Sequence, residues 1–202
     1  MSGRPREFKN TDVIDAAIEV FWKHGYEATS AEALCKQTGI GRGSLYNAFG
    51  SKYELYKAAL KRYQDLGIEE QKALLERSDR PVKERLRSLM EWAMQLDKLD
   101  TKDADRQGCM AVNAAAERGG HDAAVADLIN DHVRFLEQTI CHLIVLGQRS
   151  GEIPATRSPL ELTRMFISSY YGLRVLGKVA NDQDLLLDII EGTLSSLSTT
   201  KA

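Results

Sequence analysis

The sequence predicts an all-α protein built as an N-terminal three-helix helix-turn-helix domain followed by a larger C-terminal helical domain, about nine helices in total. Three observations predict it. Apolar residues recur at spacings of three and four in nearly every segment, as on one face of a helix. Only four prolines occur in 202 residues, and glycines or Asn/Ser/Thr caps mark breaks between the periodic segments.

The first helix is expected over Thr11–His24, with a stripe of Val13, Ile14, Ala17, Ile18 and Phe21, a cap at Asn10 or Thr11, and Gly25 as its stop. Thr29 or Ser30 caps a short second helix that Gly39 ends. A third runs from Gly41 or Arg42 to Ala48. Ser51, with Glu54 three residues on, makes a capping box for a fourth that continues towards Leu75. After the break at Ser78–Pro81, helices are expected over 82–99, 108–118, 122–149, 159–180 and 184–197. The stretch SGEIPATRSP connects two of them. Domain bounds follow as 1–50 for the N-terminal domain, 51–77 for a connecting helix, and 78–202 for the larger C-terminal domain.

Composition narrows the function class. At 43% hydrophobic and 28% charged, the chain belongs with soluble globular proteins. No apolar stretch has the length of a membrane span and the N-terminus lacks a signal-peptide core, so the expected location is cytoplasmic, with no membrane partner. Cys35, Cys109 and Cys141 are widely separated, and His24, His121, His132 and His142 show no i, i+4 pairing. Neither a disulfide framework nor a metal site is expected, and no cofactor is implied. Net charge is −2, yet the residues up to Tyr63 hold ten Lys/Arg against seven Asp/Glu, and the remainder 17 against 22. The basic excess lies in the first third, as a nucleic-acid reader requires.

The segment GIGRGSLYNAFGSK (39–52) decides between two classes of site. A dinucleotide loop needs Gly-x-Gly-x-x-Gly after a strand; from Gly39 the third glycine falls on Ser44, and from Gly41 on Tyr46. A Walker loop needs a closing Gly-Lys-Ser/Thr, which is missing. Two short helices joined by a glycine turn instead form a helix-turn-helix whose second helix enters a major groove. Gly39 can take the left-handed conformation that stops the first of these helices. Leu45 and Phe49 then face inward, leaving Arg42, Gly43, Ser44, Tyr46 and Asn47 on or beside the outer face. Arginine can fork onto guanine and asparagine can pair with adenine. The Tyr46 hydroxyl, Lys52 and the amides at Thr29–Ser30 suit phosphates. Arg4 and Arg6 form a basic arm with two readings, a minor-groove contact or a solvated tail.

On these residues the stretch GYEATSAEALCKQTGIGRGSLYNAFGSKYELYKAAL resembles the N-terminal domain of the tetracycline-repressor (TetR) family of bacterial transcription regulators. Where the family usually has Ala, this chain has Cys35; where it often has His or Arg, this chain has Asn47. The resemblance implies a homodimer on a palindromic double-stranded operator, and a small-molecule effector, unidentified, bound among the middle helices. Candidate lining residues are Trp92, Met94, Met110, Asn113, His132 and Phe135, with ordinary core packing as the competing reading for Trp92, His132 and Phe135.

The segment QGCMAVNAAAE (107–117) resembles a subgroup with a Gly-Cys-hydrophobic-x-Val-Asn motif, some of whose members sense electrophiles or oxidants through this cysteine. Cys109 at the first turn of a helix, with Arg106 nearby, would sit where negative charge is favoured. The competing reading is a small buried hydrophobe. Dimerisation is expected from Phe166, Ser169, Tyr170, Leu173 and Gly177 on one helix and Leu186, Ile189, Ile190, Thr193 and Leu197 on the last. Two alternative classes remain: an enzyme using Cys109 with a histidine, without a motif that places the partner, and a helical interaction module that has lost DNA binding, against which Arg42, Tyr46 and Lys52 speak.

Overall fold

The computed structural model describes residues 9–96, 108–180 and 182–198. Among them are nine helices: α1 (Asn10–His24), α2 (Ala31–Thr38), α3 (Arg42–Phe49), α4 (Lys52–Leu75), α5 (Val82–Leu96), α6 (Met110–Arg118), α7 (Ala123–Ser150), α8 (Pro159–Leu176) and α9 (Gln183–Ser196). Arg4, Arg6 and Arg106 lie outside the described residues.

The caps read from sequence mostly close as hydrogen bonds. The Ser30 hydroxyl accepts from the Ala33 amide at 3.0 Å, and the Ser51 hydroxyl from the Glu54 amide at 3.1 Å. Asp122, expected only as the start of α7, also caps it, its carboxylate accepting from the Val125 amide. Each satisfies an orphan donor at a helix start. The first helix differs: Lys9 occupies its N-cap without a side-chain bond, so Asn10 and Thr11 lie inside the first turn. A long-range cap serves α5, where Glu152 accepts from the Val82 and Lys83 amides at 2.8 and 2.7 Å. No local pattern announces a cap 70 residues away.

Two hydrophobic cores organise the helices. The first joins Val13, Ala17, Ile18 and Phe21 of α1 to Leu34 of α2, Leu45 of α3, and Leu55, Tyr56, Ala59 and Leu60 of α4. Phe21 meets Tyr56 edge-on at 5.1 Å between centroids. Leu34, Leu45, Leu55 and Leu60 are fully buried, each contributing about 1.5–3 kcal/mol. The second core gathers Leu75 of α4 with Leu86, Leu89 and Met90 of α5, Leu136 to Ile144 of α7, Phe166 to Leu173 of α8, and Leu186, Ile190 and Leu194 of α9. Helix α4, 24 residues and so about 36 Å long, runs from one core to the other.

The cores do not divide the chain at residue 78. Cys109, Met110, Ala111 and Ala114 of the α6 segment and Val125 of α7 are buried in the first core, against the helix-turn-helix. The reading head is thus packed directly onto α6.

Candidate nucleic-acid interface and adjoining cavity

Helix α3 presents its polar residues outward. Gly39 stops α2 in the left-handed region (φ 71°, ψ 9°), Gly41 occupies the N-cap of α3, and Leu45 is fully buried. That single anchor fixes the rotation of the helix. Arg42, Gly43, Ser44 and Asn47 are exposed, Tyr46 is half-buried, and the Arg42 guanidinium lies 5.7 Å from the Tyr46 ring. An exposed Arg, Ser and Asn on one short helix can reach base edges and phosphates together.

Two expected phosphate ligands sit differently. Thr29 is buried; its hydroxyl donates to the Gly25 carbonyl and its amide to the Tyr26 carbonyl, so the α1–α2 turn consumes both groups. Ser30 remains exposed beside it. The Lys52 ammonium donates to the Tyr26 carbonyl at 2.9 Å and the Thr29 carbonyl at 3.0 Å, and lies 4.3 Å from the Tyr26 ring centre. It braces the turn. Its charge reaches a phosphate only through the one donor left over.

Behind the head lies a cavity of about 270 Å³. Ile18, Glu19 and Trp22 of α1, Tyr63, Gly67 and Gln71 of α4, Trp92 of α5, Cys109 and Ala111 at α6, His132 of α7 and Arg174 of α8 are among its walls. Of the seven residues expected to form a sensor site, Trp92, Cys109 and His132 line it. The other four do not. Met94 and Met110 are buried in the second and first cores, and Phe135 packs beside His132. Asn113 accepts a hydrogen bond from Lys178 on the surface. The α1 and α4 walls carry no local signal, because only tertiary packing brings Trp22 and Tyr63 to the cavity.

The cavity floor is a buried polar network. The Gln71 amide nitrogen donates to the Tyr170 hydroxyl at 3.0 Å, and its oxygen lies 3.0 Å from His132 Nε2. That makes Nε2 the protonated nitrogen, so Nδ1 accepts from the Tyr171 hydroxyl at 3.0 Å. Burial, then the neighbouring Arg174 charge, lowers the His132 pKa from 6.5 to about 4, leaving a neutral ring near neutral pH. Arg174 donates to the Tyr170 hydroxyl and lies 5.0 Å from the Trp92 ring. The Tyr63 hydroxyl points at the Cys109 sulfur, 3.8 Å away; burial, then Cys109, raises the Tyr63 pKa, so this phenol keeps its proton.

The expected dimer residues are mostly inside the subunit. Phe166, Tyr170, Leu173, Leu186, Ile190, Thr193 and Leu197 are buried against helices of the same chain, as is Gly177. Ser169 and Ile189 are half-buried. The stripe is apolar as expected, and within the subunit it packs on α5 and α7. Val175 and Leu176 are exposed at the end of α8 and Val179 in the turn just beyond it, with Leu185 and Leu187 exposed on α9.

Comparison with known proteins accounts for both halves. Residues 13–59 match the family described as bacterial regulatory proteins, tetR family, and residues 82–191 match the tetracyclin repressor-like C-terminal domain. This chain belongs to the TetR family. It is 32% identical over 199 residues to the uncharacterized HTH-type transcriptional regulator YezE of Bacillus subtilis, covering 96% of this chain and 99% of that one. It is 26% identical over 192 residues to the HTH-type transcriptional repressor ComR of Escherichia coli, covering 95% and 90%. The structure superposes with a TM-score of 0.81 on a cysteine mutant of the TetR-family regulator CifR solved with a 26-base-pair operator, at 27% identity over 96% of this chain and all of that one. This TetR-family chain is therefore a DNA-binding transcriptional regulator, and its named relatives are regulators rather than enzymes.

Proposed function

We propose that the protein is a homodimeric repressor that binds a palindromic operator through α3 and is released when a small molecule enters the cavity. The observation that carries this reading is the composition of the cavity wall: α1 of the reading head and four helices of the sensing region border the same space. An occupant therefore touches both. It can shift the equilibrium only by binding one arrangement of these walls better than the other. Two recognition helices must lie about 34–36 Å apart to read successive major grooves. The exposed Val175, Leu176, Val179 and Leu185 supply the apolar surface for an isologous contact, while Gly172 and Gly192 have open space where a Cβ would stand. ComR bears the name of a repressor, and CifR was solved on operator DNA; both accord with this reading.

A second reading concerns the signal itself. Cys109 borders the cavity with the Tyr63 hydroxyl pointing at its sulfur. The CifR proteins solved on operator DNA are cysteine mutants, which favours weighing a thiol signal beside a non-covalent effector. One experiment separates the two: DNA from beside the protein's own gene is bound with and without N-ethylmaleimide, using wild type and Cys109→Ser. Release of wild type alone supports the thiol signal. Binding by both proteins with release of neither leaves a non-covalent effector.

A further inference from the structure

We propose that Glu117, at the far end of α6 from the cavity, is the positioning residue that ties the pose of the reading head to the cavity wall. The inference rests on the cavity being the effector site. The Glu117 carboxylate reaches across to the α1–α2 turn and accepts from two successive amides, Tyr26 at 2.9 Å through one oxygen and Glu27 at 2.9 Å through the other. These are backbone donors just beyond the end of α1, and a carboxylate holding two of them fixes the turn in position and direction. The turn is shaped for this partner. Gly25 has φ +71° and ψ −175°, and a Cβ there would come within 2.8 Å of the Glu117 carboxylate.

The next residue reinforces the clasp. Arg118 pairs with Glu27 and with Asp122, and its guanidinium lies 4.3 Å from the Tyr26 ring centre. The Tyr53 hydroxyl donates to the same Asp122 at 2.8 Å. At the opposite end of α6 the Trp22 indole N–H donates to the Gly108 carbonyl at 2.8 Å, and Trp22, Cys109 and Ala111 all border the cavity. Helix α6 has nine residues, about 13 Å, too short to bend appreciably. A displacement of its cavity end is carried to its other end, and there Glu117 grips the turn that leads within three residues to Ser30, the cap of α2. Neither Glu117 nor the turn touches DNA in this scheme; the carboxylate acts through the backbone it holds.

A double-mutant cycle on DNA affinity tests this. Ala111→Phe fills the cavity by construction, and Glu117→Gln keeps the size of the side chain while placing an N–H group against one of the two amides. The operator is first selected from random-sequence DNA with the wild-type full chain; if no sequence is enriched, the regulator reading itself fails. With an operator in hand, Ala111→Phe changes affinity at least tenfold in the wild-type background and less than twofold in the Glu117→Gln background. Equal changes in both backgrounds, or no change in either, overturn the proposal. Near-ultraviolet circular dichroism checks folding, and Gly67→Leu, whose Cβ would meet only the Trp92 ring at 3.8 Å, replaces Ala111→Phe if that variant does not fold. A purely structural Glu117 would lower affinity by the same factor whether the cavity is filled or empty.

Discussion

Two glycines of the reading head share a φ of +71° and should respond very differently to alanine. Gly39 has ψ 9°, the ordinary left-handed helical region, with nothing within 4 Å of an added Cβ. Its replacement costs about 1 kcal/mol in backbone strain. Gly25 has ψ −175°, a region that only glycine populates readily, where strain runs to about 1–3 kcal/mol. Its Cβ would also press on the Glu117 carboxylate at 2.8 Å. The carboxylate must withdraw and weaken charge-assisted bonds to two amides, each worth roughly 1.5–3 kcal/mol when fully made. A flexible side chain recovers part of this, and alanine restricts the unfolded chain by about 0.4–1 kcal/mol in compensation. The net expectation is about 2–4 kcal/mol for Gly25→Ala. At about 2–4 °C per kcal/mol for a chain of this size, Tm falls by roughly 4–16 °C for Gly25→Ala and, with the same unfolded-chain compensation, by about 2 °C or less for Gly39→Ala. Thermal unfolding followed by circular dichroism measures both. Adding Glu117→Ala should shrink the Gly25→Ala penalty, because the group being pressed is gone. Equal Tm losses at the two glycines, or an unchanged Gly25→Ala penalty without Glu117, would refute the reasoning.

Arg42→Ala should cost about 1–3 kcal/mol on the selected operator if the side chain reads a base; equal losses on random DNA in a titration would make it a phosphate contact. The His132 pKa falls to about 4 in the folded chain from 6.5, so between these values the unfolded state binds a proton that the native state refuses. Stability from this group is complete above about pH 6.5 and declines as pH drops towards 4, by about 3 kcal/mol in all. Urea titrations of wild type and His132→Gln across that range should show the decline flattened in the variant. Val179, 68% exposed in the turn just after α8, should tolerate aspartate within the subunit, and the substitution should weaken the dimer at least tenfold by sedimentation. A Val179→Asp protein with unchanged dimerisation would place the contact elsewhere.

Local chemistry explains what the sequence made legible. Ser30 and Ser51 cap helices because short oxygen side chains satisfy the amides just ahead of them, and that relation lies within three residues. The rotation of α3 is equally readable, since Leu45 and Phe49, one turn apart among Arg, Gly, Ser and Asn, leave only one face to bury. Where a residue has two possible partners, sequence runs out. The stripe of Phe166, Tyr170 and Leu173 announces a buried face and cannot say whether α7 of the same subunit or α8 of another covers it. Lys52 suits a phosphate on sequence alone because its partners are backbone carbonyls 23 and 26 residues away, which carry no side-chain signature. The α1 wall of the cavity and the Glu117 clasp likewise depend on contacts about 90 residues apart.

The central claim is that α3 reads a defined operator as part of a symmetric dimer. Selection of random-sequence DNA by the purified full-length protein, with Arg42→Ala in parallel, tests it most directly. Wild type is predicted to enrich two inverted half-sites centred about one helical turn, or a multiple of it, apart, with Arg42→Ala losing preference at specific bases in each half. Enrichment of no sequence, or of an asymmetric site that Arg42→Ala reads unchanged, would contradict the account.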